Sequence, residues 1–177
     1  MRTRRLEVIV ETVVKGKAWT FGDNINAESM MCTGSDWDAS LAVDTCLKFY
    51  DPDFSKNMEK GDIIVAGTNF GNSSSRPAGQ VLQYMGVSCV ICESSASIFF
   101  RNTWNIGVPV LECKGITEII NKGDEVEADI STGKIKNLTT GAEAQAEEVI
   151  ELLVQRWQHG GMVGWMKAHR EDYPGLE

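Results

Sequence analysis

The chain has 177 residues, 42% of them apolar and 24% charged, which is the balance of an ordinary globular protein with enough length for one well-packed core. A formal net charge of −8, a pI near 4.8 and scattered rather than striped Lys and Arg argue against a nucleic-acid partner. No apolar run approaches bilayer length, and "MRTRR" at residues 1 to 5 leads directly into "LEVIVETVV" without the apolar stretch of a signal peptide, so a cytoplasmic location is expected.

In chain order, residues 6–14 read as a strand and "KAWTFGDNINAES" as a second short strand entering a polar turn. Residues 36–49 read as a helix, and "YDPDFSKNMEKGD" as a loop running into the strand "IIVAG". After the serine-rich stretch "NFGNSSSRPAG", Ala78, Val81, Leu82 and Met85 fall at the spacing of one buried helical stripe, closed by Gly86. "VSCVIC" reads as a strand, "SASIFFRNTWNIG" as a helix opened by Ser94 or Ser95, and "VPVLEC" as another strand. Strand, helix, strand, helix, strand with short connections is a parallel α/β unit. "DEVEADISTGKIKNLT" reads as a hairpin, and Ile150, Leu153, Val154 and Trp157 as an amphipathic helix stopped by "HGG", with a short tail beyond. One domain over residues 1–177 is expected, without repeats or linkers.

The five cysteines, at 32, 46, 89, 92 and 113, are not a disulfide framework. Cys89 and Cys92 lie three apart on a predicted strand, so they point to opposite faces and read as buried structural thiols, and no metal site can be assembled from the spacing.

The serine-rich stretch falls where a strand ends and a helix begins, the place where open parallel sheets bind ligands. Pro77 suits the start of the helix and disfavours α geometry at Arg76, which presents Ser74, Ser75 and Arg76 on a stiffened bend. Free N–H groups, the helix dipole and the guanidinium favour negative charge there. The residues are equally compatible with a polar turn and N-cap. "GNSSSR" lacks the Walker lysine and there is no G-x-G-x-x-G, which weighs against a nucleotide.

"NFGNSSSRPA" resembles, without a gap, the N-F/Y-G-x-G-S-S-R-E-H stretch of the isopropylmalate isomerase small-subunit family, homologous to the swivelling C-terminal domain of aconitase. The likeness continues through "GVSCVICESSASIFFRNTWNIGVPVLEC", back to "AWTFGDNI" and forward to "HGGMVGWMKAH". It implies an aconitase-type swivelling β/β/α domain with a parallel βαβαβ core and a C-terminal hairpin and helix. It also implies a hydro-lyase or isomerase subunit acting on a hydroxy-carboxylic acid, active only with a large subunit that carries a [4Fe–4S] cluster, and itself binding no metal. Carried over by position, Ser74 is the serine base, Ser75 its oxyanion and carboxylate neighbour and Arg76 the carboxylate clamp, with Asn72 and Ser73 beside them at the substrate.

The chain departs from the family at three places. Ser73 replaces a glycine, Pro77-Ala78 replace Glu-His, and Asn26-Ala27-Glu28 stand where the family has Asp-Thr-Asp. Many members carry a Tyr-Leu-Arg segment whose arginine holds a further carboxylate, whereas this chain has no arginine between Arg5 and Arg76. A dicarboxylate with a small apolar substituent is therefore expected, as for a dimethylmalate dehydratase small subunit, with Met30, Met31, Cys32, Thr33 and Trp37 as candidates for setting specificity. The competing expectation is a non-catalytic carboxylate-binding or regulatory module of the same fold.

Overall fold

A computed structural model describes residues 11–31, 38–73 and 77–172. Within them one mixed sheet is built from β1 (Val13–Phe21), β2 (Ile63–Ala66), β3 (Cys89–Cys92), β4 (Val110–Glu112), β5 (Glu125–Asp129), β6 (Lys134–Asn137) and β7 (Glu143–Gln145). The spatial order is β4-β3-β2-β1-β5-β6-β7. The helices are α1 (Phe54–Asn57), α2 (Ala78–Met85), α3 (Ser97–Asn105), α4 (Ile116–Ile119), α5 (Glu151–Gln158) and α6 (Met162–Ala168), with short 3₁₀ segments at Ala27–Met30 and Ala39–Thr45.

β1 serves two pairings at once. Its first half, Val13 to Lys17, runs antiparallel to β5, and its second half, Ala18 to Phe21, runs parallel to β2. At the changeover the strand passes so close to Gly61 that a Cβ on Gly16 would sit 2.1 Å from the Gly61 carbonyl oxygen, so only glycine fits. The two halves bury themselves differently. β2 and β3 are buried at every position, as expected of parallel strands covered on both faces, whereas β5 and β6 alternate.

The core gathers on this sheet. Phe54 meets Trp19 and Phe21 edge-on, at centroid distances of 5.4 and 5.3 Å, and Phe70 meets Phe99 in the same way at 5.3 Å. Asp62 is the one buried carboxylate among the described residues, and it is satisfied by Trp19 Nε1 at 2.8 Å and the Glu59 and Lys17 N–H groups. α3 packs between α2 and α5, and α6 folds back on α5.

The parallel strand–helix unit, the hairpin, the Ala78, Val81 and Leu82 stripe and the stop at Gly86 follow the sequence expectation. Five details are corrected. Val13–Phe21 is a single strand rather than parts of two, because β5 pairs with its first half and β2 with its second; residues 6–10 lie outside the described residues. The helix expected over 36–49 is a 3₁₀ segment at Ala39–Thr45, after which Leu47 takes a left-handed φ of 54° that no regular helix can follow. The loop before β2 contains α1, whose Phe54 is fully buried. Ser95 does not cap α3, because its hydroxyl is bound to Glu112, and the N-cap position is Ala96. α4, β7 and α6 are additional, each seven residues or shorter and so without a long periodic signal.

Asp129, at the hairpin turn, accepts hydrogen bonds from Ser131 Oγ at 2.7 Å and Ser131 N–H at 2.9 Å. Burial pushes its carboxyl up, but the bonds from Ser131 and Thr132 outweigh that and hold it at about 2. Because the folded value lies below the unfolded one, its stabilisation is complete above the unfolded value of 3.8 and is lost as pH falls through about 2. Asp129→Asn should therefore cost about 1 kcal/mol near neutral pH, after allowance for solvent screening. Urea unfolding across the acid range checks this: a cost that does not shrink on acidification would remove the assigned role.

Candidate functional site

The carboxyl ends of the four parallel strands carry loops that are hydrogen-bonded to one another in series. After β1, Asp23 Oδ1 accepts the Thr68 N–H at 2.6 Å, and the Asn24 N–H donates to the Thr68 carbonyl at 2.8 Å. After β2, the Gly71 N–H donates to the Ile25 carbonyl at 2.8 Å, and the Asn72 carbonyl accepts from Ala27 at 2.9 Å. After β3, Phe70 exchanges backbone bonds with Ser94 and Ala96. The Glu112 carboxylate at the end of β4 accepts the N–H and hydroxyl of Ser95, each at 2.6 Å. The stretch 67–73 is thus held on both sides.

Beneath it lies the Phe99 ring. Gly71 has a φ of 76°, and a Cβ there would come within 2.2 Å of that ring, so the backbone rests directly on the aromatic face of α3. Beyond this support lie Asn72 and Ser73, and α2 begins after Pro77, with no side chain capping its N-terminus among the described residues. The N-terminus of an eight-residue helix favours an anionic group.

Three carboxylates border the same edge. The Thr68 N–H holds Asp23 below its usual value. Burial pushes Glu93 up, but bonds from Gly115 and Thr117 overcome this and keep it ionised below its usual value. Glu112 is engaged by Ser95. Each of the three accepts hydrogen bonds from neighbouring loops.

The residues singled out from the sequence fall into three groups. Ser73 is exposed, with a left-handed φ of 57°, at the end of the supported stretch. Asn72 is half-buried and turns its side chain back onto its own loop, Nδ2 donating to the Asn69 carbonyl at 3.2 Å. Met30 and Met31 do not form an open wall: they are 0% and 1% exposed and belong to the core, because the 3₁₀ segment at Ala27–Met30 turns them inward. Ser74, Ser75, Arg76, Cys32, Thr33 and Trp37 lie outside the described residues. Sequence reasoning missed Asn24, Asn69 and Ser94, whose polar contacts join the loops; the signal available was an asparagine at the end of each of two strands, the residue type that most readily replaces glycine in a left-handed turn.

The described cysteines do not fit an iron–sulfur cluster. Cys46, Cys89, Cys92 and Cys113 are buried and in no disulfide, burial pushes the Cys89 thiol up to about 12 and Cys92 higher still, and no three potential ligands converge among the described residues.

The family model for the aconitase C-terminal domain matches residues 12–115. The isopropylmalate/citramalate isomerase small subunit of Methanocaldococcus jannaschii is 40% identical over 165 residues, covering 89% of this chain and 96% of that protein. The 3-isopropylmalate dehydratase small subunit 1 of Thermotoga maritima has the same identity and coverage, and the Methanosarcina mazei small subunit is 43% identical over 158 residues, 87% of this chain and 96% of its own. The solved structure of 3-isopropylmalate dehydratase from Methanocaldococcus jannaschii superposes with a TM-score of 0.80 at 31% identity, covering 90% of this chain and 96% of that one. With residues 67–73 held at the carboxyl edge of a parallel sheet and likeness spanning nearly the whole of both partners, the chain belongs to the aconitase C-terminal domain family, in its branch of 3-isopropylmalate dehydratase small subunits.

Proposed function

We propose that this chain is the small subunit of a heteromeric [4Fe–4S] hydro-lyase or isomerase acting on a hydroxy-dicarboxylic acid, working in the cytoplasm as a single aconitase-type unit over residues 1–177. The observation that supports this reading is the stretch 67–73, held between loops ahead of α2, in a protein 40% identical over 165 residues to an isopropylmalate/citramalate isomerase small subunit. The cluster, assigned to the large subunit because the cysteines described above do not suit it, would supply Lewis-acid chemistry to the substrate.

In this reading Ser74 removes the proton from the carbon next to the one bearing the hydroxyl. The electron pair left behind forms the double bond as the hydroxyl departs, and return of water to the other carbon completes an isomerisation. A serine hydroxyl is too weak an acid to be a base unaided. The positive end of α2 and the Arg76 guanidinium favour its alkoxide. Arg76 grips a substrate carboxylate, and Ser73, Ser75 and Asn72 line the same turn. Specificity then falls to the 32–37 segment, including Cys32, Thr33 and Trp37, and to the large subunit, since Met31 is committed to the core. With no arginine between Arg5 and Arg76, this chain lacks the guanidinium that would pair with a third carboxylate in many members of the family.

Co-expression with a large subunit of the same family should give an iron-containing complex that dehydrates methyl- or isopropyl-substituted malates about 10–200-fold better than citrate. Citrate turning over equally well would refute the dicarboxylate assignment, and a colourless complex that binds dicarboxylates without turnover would support the regulatory module instead.

Ser74→Ala should leave assembly intact and lower kcat by about 10²–10⁴-fold. Near-normal turnover would move the base elsewhere. Arg76→Lys should raise KM substantially, because an ammonium cannot reproduce the two parallel bonds of a guanidinium; steady-state kinetics with unchanged KM and kcat would exclude a substrate contact.

A further inference from the structure

Asn24 and Asn69 stand at the ends of β1 and β2, both in the left-handed backbone region, at φ 55° and 57°. Such conformations cost little for glycine and more for any other residue, so two of them meeting at one contact call for a compensating interaction. That interaction is present: Asn69 Nδ2 donates to Asn24 Oδ1 at 2.9 Å, across 45 positions of sequence. The Asn69 N–H donates to Ser94 Oγ at 3.0 Å, and its carbonyl accepts Asn72 Nδ2 at 3.2 Å. One residue therefore joins the loops that follow β1, β2 and β3, four positions before Ser73. Both asparagines are exposed, so their bond adds little to burial, and the backbone geometry alone would be served as well by glycine.

We propose that Asn69, latched to Asn24, is a positioning residue that fixes the serine-rich stretch in its catalytic register. The proposal rests on the function assigned above, in which Ser74 must meet a substrate carbon within a fraction of an ångström. A displacement of about 1 Å in such a site can cost on the order of 10²-fold in rate.

The test uses Asn69→Gly, Asn24→Gly and the double variant, because glycine keeps the left-handed backbone and removes only the latch. In the assembled enzyme each single variant should lower kcat about 10–100-fold with far less change in KM, and the double variant should match a single one rather than multiply the losses. In the full-length small subunit alone, amide exchange at residues 70–73 and 77–79 should accelerate about tenfold or more while β2 and β3 stay protected. Unchanged kcat and exchange, multiplicative losses, or equal acceleration through β2 and β3 would each overturn the latch. If the wild-type complex has no dehydratase activity the functional assignment fails by itself. The exchange measurement then still decides the latch: local acceleration supports it and its absence removes it.

Discussion

The parallel register between β1 and β2, Ala18 against Ile63 through Phe21 against Ala66, is the constraint on which the site edge depends. It sets residues 22–24 beside residues 67–69 at the same height, so that the loops leaving the two strands can exchange hydrogen bonds without an intervening layer. A slip of one residue would move every side chain of β1 to the other face, taking Trp19 away from Asp62 and Phe54. The register is locked by burial at one end, where Trp19 and Phe21 close on Phe54, and by the close passage of Gly16 over Gly61 at the other.

Much of this was legible in the sequence because the central strands and helices have strong, independent signals. β2 and β3 are continuous apolar runs, and α2 shows its stripe through Ala78, Val81 and Leu82. The segments that escaped are those decided by tertiary contact. Ser95 looks like a helix cap until Glu112 arrives from the end of β4 to take its hydroxyl. α1 looks like loop until Phe54 is buried under Trp19 and Phe21, and Met31 looks like an exposed apolar residue until the turn at Ala27–Met30 carries it inward. The serine-rich stretch could be found from composition and spacing, but its supports could not, since Asn24, Asn69 and Ser94 meet only when three strands lie side by side.

The electrostatics of the edge follow from the same arrangement. Asp23, Glu93 and Glu112 each accept N–H or hydroxyl donors from neighbouring loops. Carboxylates are used here to tie loops together. Cys89 and Cys92 contribute nothing to this balance, being buried and held protonated.

The strand order carries a consequence for how the protein meets its neighbours. Both outer strands, β4 and β7, have only three residues, and the backbone of Glu147 already donates to the Glu112 carbonyl on the β4 side. On the other side β7 presents Glu143 and Gln145 to solvent. So short and polar a border offers few unpaired amide groups in a row, which disfavours strand-to-strand joining between copies and the ordered aggregation that grows from it. Association is thereby directed to loops and helices, where recognition depends on side chains rather than on backbone ladders that any extended chain could extend.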